Sequence, residues 1–329
     1  MQTRSTFHEQ QAANRRNSIV LIVLVTLLLA ALGFAIGYGT TGYVEGAFGV
    51  TTGAIVLGLL MSVGSYFAGD KLVLATSGAK EVTQEAAPQL MNVVQEMAIA
   101  ANVPMPKVYI IDDTAPNAFA TGRDPKHASV AITTGLLQKL DREELQGVMG
   151  HELSHVRNLD IRFSLLVAVL VGSIALLADF FLRFTFWGGG RGSRGGGDRD
   201  RGGGGLVAIM FILAIVLAVV APIIGRMVQL AVSRQREYLA DASSVELTRN
   251  PIGLERALAK IASDREVLEV ANRATQHLYF TNPIKKFEER SSSLFSTHPA
   301  VLDRINRLRQ LTGEGALNPS DVQALAGLD

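Results

Sequence analysis

The sequence predicts an α-helical integral membrane protein with a cytoplasmic, mainly α (α+β) domain, and three observations carry that reading. Ile19 to Tyr38 and Phe48 to Ala68 contain no charged residue, and each is long enough to cross a hydrocarbon core about 30 Å thick as a helix. Neither run keeps the polar face that a helix in a water-soluble core would show. Charged residues make up 19% of the 329 residues, against about 25% in soluble domains, because these runs exclude them. The 31 basic and 30 acidic side chains leave a net charge of +1, so there is no basic field for nucleic acid. With no cysteine, disulfides, thiolate metal sites and cysteine nucleophiles are excluded.

Residues 1–69 read as a cytoplasmic N-terminus followed by two transmembrane helices, 19–38 and 48–68. Arg4, Arg15 and Arg16 precede the first run, Lys71 and Lys80 follow the second, and the connection carries only Glu45, so both flanks are cytoplasmic by the positive-inside rule. The first run has no small-residue cleavage site and reads as a retained anchor. Residues 70–162 form the first part of a water-exposed domain. Apolar residues recur at helical spacing from Thr83 to Ala101, Pro104 and Pro106 break the pattern, and Val108–Ile111, Ala118–Thr121 and Ser129–Thr133 read as short strands. Asp141 with Glu144 resembles a capping box that starts a helix through Asn158.

Residues 163–224 read as a hydrophobic hairpin, 163–187 and 206–224, around a linker at 188–205 made almost wholly of glycine and arginine. Such a linker cannot bury enough apolar surface to order itself. Whether the two arms cross the bilayer or only dip into it stays open, since the linker arginines oppose the positive-inside rule. Residues 225–329 complete the domain, with helical patterns over Met227–Leu247, Pro251–Ser263 and Pro299–Leu311. If the helix holding His155 is continuous, His155 lies roughly 12 Å along it from Phe163, just above the membrane face.

The chemistry-bearing motif is His151-Glu152-Leu153-Ser154-His155 inside the capped helix. Two histidines four apart are offset by about 40° and 6 Å, so both imidazoles reach one ion, and Glu152 between them can move the proton of a water there. A catalytic zinc needs a third protein ligand and an open position. Glu237 is the best candidate, with Asp241 one turn later placed to accept the free N–H of a ligating histidine. Taken alone, Asn117 reads as a turn residue and His298, before Pro299, as a helix-start residue. His8, His127 and His277 have no partner at metal spacing and read as surface residues.

The extended motifs His155-Val156-Arg157-Asn158-Leu159-Asp160 and Arg236-Glu237-Tyr238-Leu239-Ala240-Asp241, with two N-terminal spans and a hairpin between them, resemble the HtpX-type membrane zinc endopeptidases. These are gluzincins, as are the CAAX prenyl-protein proteases, and the resemblance runs from the first span to Thr297-His298-Pro299. It implies one zinc ion per chain on His151, His155 and Glu237, Glu152 as general base and acid, and Asp241 as support for a ligand. It further implies that Asn117, Ala118, Phe119 and Ala120 form the strand edge that receives an extended substrate, and that His298 stabilises the oxyanion. The implied function is a multi-pass endopeptidase of the plasma or inner membrane, active on its cytoplasmic side, taking membrane polypeptides in quality control and stress response. The implied partners are those polypeptides, the lipid bilayer and other quality-control proteins. A CAAX-type protease would need more spans than this chain offers, and a non-enzymatic adaptor with a structural zinc site would have lost a ligand or Glu152, none of which is missing.

Overall fold

The structure is a computed structural model that describes residues 7–166, 208, 212, 215–216, 236–264, 299–318 and 320–327. The chain divides into two compact units. One comprises Arg16–Tyr66 and Leu166–Val228, the other Met1–Arg15, Phe67–Leu165 and Gln229–Asp329.

The first unit holds most of two long helices, α1 (Phe7–Thr41) and α2 (Val44–Thr76). They are joined through Gly42, whose φ of 79° is open to glycine without strain. Gly37 meets Ala47, Gly33 meets Ala54 and Leu29 meets Gly58, so the helices run antiparallel, and a Cβ on Gly37 would lie only 2.7 Å from the Ala47 Cα. Phe34 adds an edge-on contact with Phe48 at 6.0 Å. Both predicted runs thus lie inside helices, which extend past them at each end. Among the described residues, Asn14–Gly39 is long and apolar enough to cross a membrane, and Val44–Leu60 is a shorter apolar stretch. The 163–187 and 206–224 arms lie almost wholly outside the described residues, and the 188–205 linker wholly so.

The second unit is built on a four-stranded sheet in the order β1-β2-β4-β3. Strand β1 (Lys80–Glu81) is antiparallel to β2 (Lys107–Ile111), β2 is parallel to β4 (Ala128–Thr133), and β3 (Ala118–Gly122) is antiparallel to β4 at the sheet edge. The expected Thr83–Ala101 helix begins later, as α3 (Pro88–Ala101), because the residue before a proline is pushed out of helical geometry and Pro88 suits the first turn. Helix α3 buries Leu90, Val93, Val94, Met97, Ala98 and Ala101 and ends on Asn102 in the left-handed conformation. A short α4 (Thr134–Lys139), unforeseen from the pattern, is capped by the Thr133 hydroxyl.

Helix α5 (Arg142–Arg157) starts at the capping box: Asp141 accepts from the Glu144 N–H, and the Glu144 side chain accepts from the Asp141 N–H. It packs against α3 and against α7 (Pro251–Ser263) through a shared core that includes Leu145, Val148, Leu153, Leu254 and Leu258. Gly147 permits this approach, since a Cβ there would stand 2.7 Å from the Leu254 nitrogen. Residues 236–248 form α6; α7 is capped by Asn250, with Pro251 in its first turn. Helices α8 (Val301–Thr312) and α9 (Asp321–Leu325) close the same core with Ile305, Leu308 and Val322. The helix holding His155 is not continuous into 163: α5 ends at Arg157, and Leu159 takes a φ of 63° before helical residues 160–166.

Candidate metal centre

Helix α5 buries nearly every residue of its C-terminal half, so its polar residues are inside the protein. His151 and Glu152 are buried, His155 is partly so, and α6 sets Glu237 and Asp241 against them, both buried. On α6 the residues at 237, 241 and 244 share one face by helical spacing, and Ser244 fixes the register by donating to the Gly147 carbonyl at 2.6 Å.

Ligand atoms of His151, His155 and Glu237 all lie within 4.8 Å of one another. The two Nε2 atoms stand 3.2 Å apart, and each is 3.6 Å from a different Glu237 oxygen. Bonds of about 2.0–2.2 Å in a tetrahedral zinc site give ligand–ligand edges of roughly 3.3–3.6 Å, close to the His–His separation and to the approach of each histidine to one Glu237 oxygen, so the donor set suits such an ion. Each Nδ1–H donates to a carboxylate, that of His151 to Asp241 Oδ1 at 2.9 Å and that of His155 to Asp160 Oδ2 at 3.0 Å. In the neutral imidazoles both Nε2 lone pairs then face each other across 3.2 Å, an arrangement that calls for a cation or a proton between them.

Asp160 reaches His155 because the chain breaks at Leu159. On an uninterrupted helix, residue 160 would sit about 140° around the axis from residue 155. The left-handed Leu159 costs roughly 1–2 kcal/mol and redirects the carboxylate. Asp241 is clamped from the far side by Arg304 of α8, whose Nε and Nη2 donate to its two oxygens at 2.9 and 2.7 Å. Arg304 Nη1 also stands 3.8 Å from Glu237 Oε2. This guanidinium is fully buried, and the bidentate pair keeps it charged.

Charge in the pocket follows from these partners. Burial raises the Glu152 carboxyl above its ordinary range against the opposing pull of His151 and His155, and the Ala120 backbone N–H donates to it. Burial opposes charge on His155, yet the hydrogen bond to Asp160 and the nearby Glu237 and Glu152 carboxylates lift it to about 9. Burial would raise Asp241, but Arg304 and His151 hold it below the usual carboxylate range.

Asn117 is buried at the start of the edge strand; its side-chain oxygen accepts from the Ala118 N–H at 3.0 Å, and its carbonyl accepts from the Thr133 N–H at 3.0 Å. Ala118, Phe119 and Ala120 follow it along β3, beside α5. The structure therefore brings His151, Glu152, His155, Glu237 and Asp241 together and sets the 117–120 segment alongside through Ala120. His298 lies outside the described residues. Sequence reasoning passed over Arg304 and named no role for Asp160. A signal existed for Asp160, since each of two histidines expected to bind one ion needs an acceptor and Asp241 supplies only one. A lone arginine on a C-terminal helix carries no such signal.

A family model described as Peptidase family M48 matches residues 84–312. The chain is 46% identical over 305 residues to a Protease HtpX homolog of Streptococcus uberis, across 92% of this chain and 99% of that protein. It is 44% identical over 313 residues to a Protease HtpX homolog of Thermoanaerobacter pseudethanolicus, across 94% of this chain and 99% of the relative. The solved structure of Ste24p from S. mikatae overlaps it with a TM-score of 0.46 at 16% identity, covering 77% of this chain and 57% of that one.

Proposed function

This chain belongs to peptidase family M48 and is a membrane-bound metalloprotease, and we propose that its metal is one zinc ion held by His151, His155 and Glu237. The observation that carries the assignment is the pair of Nε2 atoms 3.2 Å apart whose Nδ1 positions are both committed to carboxylates. Zinc held there supplies Lewis-acid polarisation of a scissile carbonyl and brings the pKa of a water toward 7.

The chain's own residues do the rest. Glu152, whose affinity for a proton is raised by burial, takes a proton from the attacking water and returns it to the departing amine. Asp160 and Asp241 hold the two imidazoles in the tautomer that leaves Nε2 free. Arg304 keeps Asp241 ionised and in place. An extended polypeptide pairs with the outer edge of β3 by strand addition, reading main chain more than side chain. In antiparallel pairing alternate residues turn their backbone groups to the outer edge, and Ala118 and Ala120 do so here, since the Asn117 carbonyl faces β4. His298 stabilises the developing oxyanion, as the resemblance implies.

The substrates are membrane polypeptides, and the role is quality control in the plasma or inner membrane. The apolar faces of α1 and α2 and the basic flanks support a multi-pass topology with the active site on the cytoplasmic side. The test is metal analysis together with casein cleavage by the detergent-purified chain. Wild type should carry one zinc per chain, and Glu152→Gln should keep that zinc while activity falls by roughly 10² to 10⁴ or more. Full proteolysis by the Gln variant would overturn the assignment.

A further inference from the structure

Asn14 lies in the first turns of α1, only 7% exposed, and its amide makes two hydrogen bonds to the zinc helix and the turn that follows it. Nδ2 donates to the Asn158 carbonyl at 2.8 Å and to Asp160 Oδ1 at 2.7 Å. The other Asp160 oxygen accepts from His155 Nδ1 at 3.0 Å. One amide thus spans the break at Leu159, holding a terminal carbonyl of α5 on one side and the histidine-orienting carboxylate on the other.

We infer that Asn14 is a positioning residue for His155, acting through Asp160, so that the first turns of the N-terminal helix belong to the support of the metal centre. The inference rests on His155 being a zinc ligand, as proposed above. A carboxylate turns broadly about its last torsion, so a single bond to His155 leaves its plane undetermined. The second oxygen decides that plane. Arg236 Nε stands 3.5 Å from it, and that guanidinium is stacked 4.0 Å over the Phe163 ring, so its contact with the carboxylate is long. Asn14 makes the short contact. Asn158 contributes one of the end carbonyls that a helix leaves without an internal donor, and Asn14 supplies a donor to it. Both acceptors are buried, so loss of the amide is not made good by bulk water.

A purely structural anchor would alter the melting temperature and nothing else. A positioning role makes zinc affinity and kcat fall together while KM stays put. Zinc affinity is measured by chelator competition, and kcat and KM on a quenched peptide, for the full-length chain in detergent. The variants are Asn14→Leu, Asn14→Ala, Asp160→Asn, the Asn14→Leu/Asp160→Asn pair and His155→Ala, each checked for folding by size exclusion, with exposed Arg15→Ala as control. Asn14→Leu keeps the branched outline and the helix but has no donor. It should weaken zinc binding by about 10-fold, the low end for a group that supports a ligand, and lower kcat with KM unchanged; Asn14→Ala should do the same. In the Asp160→Asn background the Leu substitution should add less than about twofold, because the two residues act in series. Wild-type zinc affinity in both Asn14 variants, or an equal further loss in the Asp160→Asn background, would overturn the inference. Wild-type zinc binding by His155→Ala would instead overturn the ligand assignment on which it stands.

Discussion

In the α1–α2 pair many large apolar side chains face outward, with Ile19, Leu27 and Leu60 each about two-thirds exposed, while Gly33, Gly37, Ala47 and Ala54 let the two backbones approach closely. In the catalytic unit the arrangement is reversed: aliphatic residues fill the centre, and beside them His151, Glu152 and Arg304 are 0%, 2% and 1% exposed. Each arrangement fits the solvent we propose for it. Exposed leucines are stable where hydrocarbon surrounds them, and close glycine–alanine contact supplies the packing that the hydrophobic effect cannot supply there. Buried charges persist in water-surrounded protein only where each has a partner, as Asp241 has Arg304 and His155 has Asp160.

Four tests would break or sharpen that contrast. Arg304→Met removes the partner of a buried carboxylate and should destabilise the purified protein by about 3–5 kcal/mol. Arg307→Met, which removes an exposed guanidinium stacked 3.6 Å over Tyr238, should cost only about 0.5–1 kcal/mol. Chemical unfolding of the two variants compares them directly, and equal losses would show that burial of the charge is immaterial.

Leu27→Arg addresses the other region. On an outward face in hydrocarbon it should cost about 2.5–3.5 kcal/mol, read as a smaller membrane-inserted fraction after carbonate extraction. The same change at a side chain 65% exposed to water would be near neutral, so an unchanged fraction would remove α1 from the membrane.

The zinc-free protein should show the sign of the buried histidine. His155 is raised from 6.5 to about 9 in the folded state, so its contribution is fully present below about pH 6.5 and is lost as pH rises through 9. Urea midpoints of chelator-treated protein should therefore fall by the equivalent of roughly 2–3 kcal/mol between those limits, and Asp160→Asn should flatten the profile. A midpoint that rises across this window would refute the pairing.

The smallest effect concerns helix packing. Gly37→Ala puts a Cβ 2.7 Å from the Ala47 backbone and should cost about 1–3 kcal/mol, whereas Gly49→Ala meets nothing within 4 Å and should be neutral or slightly stabilising. Thermal melts of the two variants in one detergent separate a packing effect from helix propensity.

Much of both regions is legible along the chain, and for local reasons. Uncharged runs of membrane-spanning length, the Asp141–Glu144 cap and the His151–His155 spacing depend only on helix geometry and on residues a few positions apart. The 107–111, 118–122 and 128–133 strands were legible as short apolar segments, but their order was not: β2 pairs with β4 in parallel while β3 takes the edge, which no segment specifies by itself. The start of α3 at Pro88 is written in the proline, which the apolar period alone does not reveal.

By itself, then, the sequence determined the long apolar helices and the helix that carries two histidines on one face with a glutamate between them, and it pointed to Glu237 as a candidate third ligand. Only the tertiary structure decided what holds those groups still. Asp160 required the left-handed turn at Leu159 to reach His155, Arg304 meets Asp241 from 63 residues away, and Asn14 meets Asp160 across 146. Contacts within a turn or two follow from helix geometry. Contacts over such separations exist only after the core has packed, and every polar group it buries then needs a partner supplied from elsewhere in the chain.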